Sequence, residues 1–327
     1  MMSQSPHAVA PLLDDQIAEE LQLNLPEEAV LIRPASPVGV GVLTLLGSSG
    51  RMDVDRARFF ARHGAHALAL RWFGGPGQPP GVNEVALEVF VRALDRLCTE
   101  PVDQLAVIGL SKGAEAALLL ACVDDRVDLT VAMSPPSVVW GNVGPGLDGK
   151  DRPYRSSWTW RGEPLPFVSY DESWTPVETE GPVAYRTLYS QSLAVDPTHG
   201  IAASIPIEEA SGDLVLIAGH DDQLWSSVES VQALAQRRLE GDRQVEVILH
   251  EQAGHSPVFP GQPAAQESLH IKRGGTPEAD VELGTAAWES IARRLGLPHR
   301  QQMRAPGGPV SSNPHCRERR ANPSEGR

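Results

Sequence analysis

The sequence predicts an α/β fold: a mostly parallel sheet with helices on both faces. Two observations carry this. Short apolar runs of strand length, rich in Val, Ile and Leu, read as strands buried on both sides. Between them lie longer segments with apolar residues at helical spacing, and strands alternating with helices imply βαβ units. The 327 residues suffice for one large α/β domain.

In order, VGVGVLTLLG (Val38 to Gly47) reads as a buried strand, and DVDRARFFARHG (Asp53 to Gly64) as an amphipathic helix closed by glycine. AHALALRWF (Ala65 to Phe73) is a strand, and NEVALEVFVRALDRLC (Asn83 to Cys98) a helix behind an Asn cap. QLAVIGL (Gln104 to Leu110) is a strand and Lys112 to Cys122 an Ala- and Leu-rich helix. VDLTVAMS (Val127 to Ser134) and DLVLIAG (Asp213 to Gly219) are further strands. A helix from Ser226 to Leu239, the strand QVEVILHE (Gln244 to Glu251) and a helix around Ala279 to Leu295 complete the body. Residues 1–30 read as an N-terminal extension and 31–297 as the folded domain. Residues 298–327, rich in Pro, Gly and Arg without apolar periodicity, read as a disordered basic tail.

A net charge of −14, a pI of about 5.2 and no basic-aromatic ladder argue against a nucleic-acid partner. The three cysteines, Cys98, Cys122 and Cys316, are widely spaced, so the spacing suggests neither a disulfide framework nor a zinc site, and no metal or cofactor is expected. With no basic start before an apolar core and no long apolar run, the chain reads as a cytoplasmic protein that does not enter membranes.

The chemistry centres on Gly109-Leu110-Ser111-Lys112-Gly113. G-x-S-x-G alone is a weak signal, but here it joins a buried strand to a helix, the context a nucleophile elbow needs. Glycines on both sides let strand and helix crowd around a strained serine, and the helix N-terminus aims free N–H groups at a developing oxyanion. A serine nucleophile needs a base and an orienting acid, in the α/β-hydrolase arrangement on loops after later strands. After DLVLIAG come Asp221 and Asp222, and after QVEVILHE comes His255 between Gly254 and Pro257. Singly these are ordinary loop residues; three in order at successive strand ends read as a triad of Ser111, Asp222 and His255, with Asp221 as the fallback acid. His250 lies within its strand, and His220 precedes the acid. The oxyanion hole would combine the N–H of Lys112 with that of Ser48 or Ser49 in the loop Gly47-Ser48-Ser49-Gly50. The Lys112 side chain is expected to face solvent, where its charge would favour an anionic substrate.

With these residues in place, GLSKGAEAALLLA, IPIEEASGDLVLIAGHDDQLWSS, AGHSPVFP and RGGTPEADVELGTAAW together resemble the C-terminal catalytic domain of the acyl-CoA thioesterase and bile acid-CoA:amino acid N-acyltransferase family, from about Val38 to Leu295. The resemblance implies an α/β-hydrolase fold, with Ser111 as nucleophile, Asp222 as acid and His255 as base. Long family members carry an N-terminal β-sandwich, for which the stretch before Val38 is too short. Amino-acid-conjugating members use cysteine as nucleophile and thioesterases serine, so Ser111 favours hydrolysis of an acyl thioester through an acyl-serine intermediate. A carboxylic esterase, an acyltransferase in a biosynthetic pathway and a non-catalytic receptor on the same fold are the alternatives. The segment 135–210 departs from the family pattern. It holds all four tyrosines and four of the seven tryptophans of the chain, and reads as a lid lining an acyl pocket, with Trp140, Trp158, Trp160, Tyr170 and Trp174 as its contact residues.

Overall fold

The computed structural model describes residues 16–24, 27–177, 180–265 and 268–298. The basic tail and the first fifteen residues lie outside that set. Among the described residues, eleven strands and seven helices are present, and through the body of the sheet strands alternate with helices. The main sheet is built from β1 (Ile17–Asn24), β2 (Glu28–Pro34), β3 (Val40–Leu45), β4 (His66–Leu70), β6 (Gln104–Leu110), β7 (Leu129–Met133), β10 (Asp213–Gly219) and β11 (Glu246–His250). Their spatial order is β1-β2-β4-β3-β6-β7-β10-β11. β1, β2 and β4 are joined antiparallel, and from β4 onward every neighbour is parallel.

Side chains alternate across a strand, so each buried strand feeds two cores. In β6, Leu105 and Val107 enter one apolar cluster while Ala106 and Ile108 enter the other. The first is covered by α2 (Glu88–Leu97), α3 (Lys112–Val123) and α6 (Ser227–Glu240), the second by α1 (Val54–Arg62) and α7 (Pro277–Leu295). Phe59 and Phe60 of α1 meet Trp288 of α7 edge-on, at 4.7 and 5.9 Å. α7 has clear start and stop signals: the Thr276 hydroxyl accepts from the Ala279 N–H, Pro277 opens the first turn, and Gly296 ends the helix at φ 62°.

Two expectations need correction. Ile17–Asn24, expected within the N-terminal extension, form β1, which pairs antiparallel with β2 on the sheet edge. β1 was obscured because its edge position exposes Glu19 and Glu20, leaving little apolar signal. The helix expected from Asn83 begins at Glu88; Asn83 is buried and caps nothing, and Val85–Ala86 is instead a short strand, β5. β5 pairs with β8 (Trp158–Trp160), which pairs with β9 (Glu163–Pro164), in a second small sheet. Cys122 is a free, half-buried thiol whose pKa burial pushes up to about 12.

Between β7 and β10 the chain runs through β8, β9, α4 (Arg186–Val195), α5 (Pro197–Ala202) and a 3-10 turn at Ile207–Glu209. This insertion covers α3, which explains why Lys112 to Ala121 are all buried. A helix apolar on every side belongs between two layers.

An ion-pair network ties the sheet edge to the body. Glu100 accepts two bonds from Arg33 of β2, at 2.8 and 2.9 Å, and a third from Arg96 at 2.8 Å. Burial alone would raise its pKa, but the two guanidiniums outweigh it and hold the carboxyl at about 2. A carboxyl depressed in the fold stabilises above its unfolded value near 4.5, and that contribution is lost as pH falls toward 2. Glu100→Gln is therefore expected to lower the melting temperature at pH 7 by several degrees, about 2 kcal/mol for charge-assisted bonds. The difference from wild type should shrink between pH 4.5 and 2, which calorimetry across that range checks.

Candidate active site

Ser111 joins β6 to α3 at φ 59° and ψ −122°, a region that side chains avoid. The surroundings impose it. A Cβ at position 109 would lie 2.2 Å from the Gly113 carbonyl oxygen, and one at position 113 would lie 2.3 Å from that of Leu45. Only glycine at both lets β6, α3 and β3 approach so closely. The turn is pinned further by the Ser111 N–H, which donates to the Met133 carbonyl at 2.9 Å.

The loop after β3 presses on the serine: a Cβ on Gly47 would stand 3.5 Å from Ser111 Oγ. The Lys112 N–H, first in α3, has no helical acceptor by its position. Of the two expected partner donors, the Ser49 N–H is already bonded to the Gly47 carbonyl at 2.8 Å.

Asp222 is fully buried just past β10. Its Oδ1 accepts from the N–H groups of Leu224 and Trp225, at 2.8 and 3.3 Å, and its Oδ2 from the Ser227 hydroxyl. The same Oδ2 lies 2.8 Å from His255 Nδ1. His255 is 3% exposed, and its Nε2 is buried without a hydrogen-bond partner. With Nδ1–H assigned to the Asp222 bond, Nε2 is left as an open acceptor. Trp225 stands edge-on to the imidazole at 5.5 Å, and its indole N–H donates at 3.0 Å to the Ser134 carbonyl, next to the Met133 carbonyl that holds Ser111. The neighbours are occupied elsewhere. Asp221 accepts from the Gln223 side chain and from the Gly275 N–H; His250 faces Glu282 at 3.0 Å and His220 faces Glu251 at 3.5 Å.

Lys112 does not face solvent. Its Nζ is buried, 2.7 Å from Glu115 Oε2 and 5.5 Å from the centre of the Trp158 ring. Burial lowers the ammonium pKa and Glu115 opposes that shift. Glu115 Oε1 accepts from the Trp158 indole at 2.7 Å and from the Trp140 backbone at 3.0 Å. The pair sits on the face of α3 that the insertion covers, which hydropathy could not reveal.

The proposed lid residues divide. Trp158 is fully buried, packed on Trp72 and Phe90 at 5.3 and 6.0 Å, and is a core residue, not a pocket wall. Trp140 is buried and stacks on Tyr170 at 5.6 Å; from there Tyr189 and Trp225 continue an aromatic wall to His255. Trp174 lies beside Tyr185 and bonds Thr187. Trp160 lines a cavity of about 570 Å³ with Leu119 and Val139, and Phe167 and Tyr170 line another of about 610 Å³. Neither cavity is lined by Ser111, Asp222 or His255. Trp158→Ala is accordingly expected to destabilise by about 3–5 kcal/mol through a cavity and an under-satisfied Glu115, and Trp158→Phe by less. Thermal melting of both variants tests this.

Residues 85–295 match the family described as BAAT / acyl-CoA thioester hydrolase C terminal. The chain belongs to that family. Human acyl-coenzyme A thioesterase 6 is 28% identical over 274 residues, covering 80% of this chain and 61% of that protein. Rat acyl-coenzyme A amino acid N-acyltransferase 2 is 26% identical over 285 residues, covering 84% of this chain and 64% of that one. The chain thus spans less than two thirds of the length of these relatives. Among solved structures, an acylaminoacyl peptidase in complex with a chloromethyl ketone superposes with a TM-score of 0.52 at 11% identity, over 87% of this chain and 42% of that one. The family and this likeness agree on an α/β-hydrolase fold. Among the described residues, no group of three or more His, Cys, Asp or Glu could hold a metal ion, and no helix is long and apolar enough to cross a membrane.

Proposed function

We propose that this family member is a serine-dependent hydrolase of acyl thioesters of the acyl-CoA type. Two observations support the reading: the buried Asp222–His255 bond, which leaves Nε2 open, and the strained, elbow-mounted backbone of Ser111. His255 Nε2 takes the Ser111 hydroxyl proton as Oγ attacks the thioester carbonyl. Asp222 holds the tautomer and stabilises the imidazolium. The Lys112 and Ser48 N–H groups receive the oxyanion. The C–S bond breaks, the thiolate takes the proton from His255, and an acyl-serine remains. Water, deprotonated by His255, then releases the acid and restores Ser111.

Transfer of the acyl group to an amine is the second reading, because relatives named as N-acyltransferases match alongside the thioesterases. An oxygen ester at Ser111 is less activated toward amines than a thioester would be, so hydrolysis is preferred. Purified protein should release free CoA from acyl-CoA at a rate indifferent to added glycine or taurine, and a fluorophosphonate should label it at Ser111. Acyl conjugates appearing at the expense of free acid would favour transfer instead. Failure of both release and labelling would overturn the reading altogether.

A further inference from the structure

The segment Arg273 to Asp280 supplies nothing to the proposed chemistry, yet it touches both loops that carry the acid and the base. The Arg273 carbonyl accepts from the Gln223 N–H at 3.2 Å and from the His255 N–H at 3.1 Å. One oxygen thus ties the residue after Asp222 to His255 itself. The Gly275 N–H donates to Asp221 Oδ2 at 2.8 Å, and Asp280 Oδ1 accepts from the Gly254 N–H at 2.7 Å. The contact is too close for any side chain. A Cβ on Gly274 (φ 71°) would fall 1.7 Å from the Asp221 carbonyl oxygen, and one on Gly275 (φ 74°) 2.2 Å from the Gly254 nitrogen.

From this we infer that Arg273 to Asp280 is a positioning element for the acid–base couple, a backbone bracket that fixes the Asp222 loop against the His255 loop. The inference rests on the hydrolase reading for its consequence but not for its geometry. The two loops leave neighbouring strands and meet directly where the Asp221 N–H donates to the Ala253 carbonyl at 3.0 Å; the segment adds ties further along, at Gln223 and His255 themselves. Arg273 O reaches over one side of the junction, while Gly274 and Gly275 fill the gap beneath Asp221 and Gly254. A purely structural connection would have no need to bond residues adjacent to both Asp222 and His255. Asp221 then has a role of its own, as the acceptor that seats the bracket.

The test combines an activity-independent signal with kinetics. The far-downfield proton resonance of the His255 Nδ1–H bonded to Asp222, assigned by its loss in Asp222→Asn, should vanish or broaden in Gly274→Ala. In the same variant kcat should fall about 10²-fold with KM nearly constant, the scale expected of a misplacement near 1 Å. Combined with Asp222→Asn, the loss should be far less than the product of the two, since both act through one couple. If Gly274→Ala does not fold, Asp221→Ala serves, with a kcat loss of about 10-fold that Asp221→Asn, which retains an acceptor for the Gly275 N–H, largely recovers. An unchanged proton resonance with unchanged kcat, or losses that multiply with Asp222→Asn, overturns the bracket. If wild type shows the resonance but no turnover, the hydrolase reading fails, while the response of the resonance still decides the bracket.

Discussion

Ser111→Ala is expected to reduce acyl-CoA hydrolysis by about 10⁴-fold or more while leaving the fold intact. The nucleophile is irreplaceable in a covalent mechanism, and removing the serine of such a unit costs about as much as removing all three members. The hydroxyl itself contributes little to packing. Its position at φ 59° and ψ −122° is held by the crowding of Gly109, Gly113 and Leu45, and alanine meets the same constraint. Strained backbone of this kind costs about 1–3 kcal/mol, which glycine would relieve. Ser111→Gly should therefore melt above wild type while being as inactive as Ser111→Ala, a stability gained at the expense of function. Release of CoA followed with a thiol reagent, alongside thermal melting, separates the effects. Near-wild-type turnover by either variant would remove Ser111 from the nucleophile's place.

The features that came through from sequence are those with strong local signals. β6 and β10 were legible residue for residue, because a strand buried on both faces is an uninterrupted apolar run ended by glycine or a turn. α3 was legible through its Ala and Leu content, and the elbow through its two glycines. Ser111, His255 and an aspartate of the Asp221–Asp222 pair stood out as candidates from order alone, since each follows a strand end and parallel strands place their carboxyl ends on one edge. Features set by tertiary contacts were hidden. Lys112 reads as a surface lysine until the insertion, far along the chain, closes over it and Glu115. Trp158 reads as a pocket aromatic until β8 pairs with β5 and carries it into the core. The choice between Asp221 and Asp222 also depended on which backbone N–H groups each carboxylate meets, and no spacing encodes that.

That choice yields the second large effect. Asp222→Asn is expected to lower kcat/KM by about 10⁴-fold, the scale of losing the correct histidine tautomer, whereas Asp221→Asn should stay within about 10-fold of wild type. The difference follows from how Asp222 is held. Its Oδ1 receives the Leu224 and Trp225 N–H groups, so an amide at this position must turn its oxygen toward those two donors. Its NH₂ then occupies the place of Oδ2 and faces His255 Nδ1. An N–H directed at Nδ1 forces the imidazole proton onto Nε2, and the nitrogen that should accept from Ser111 becomes a donor. The Ser227 hydroxyl can rotate to suit the new group, so the variant should fold and melt close to wild type. At Asp221 no such conflict arises. Its carboxylate meets the Gly275 N–H and the amide of Gln223; an Asn oxygen can serve the first, and Gln223 can reverse its amide for the second. Fluorophosphonate labelling rates should rank the two variants as hydrolysis does, because labelling requires the same proton transfer from Ser111. The reverse ranking in both assays would make Asp221 the acid and require the loop after β10 to shift by one residue.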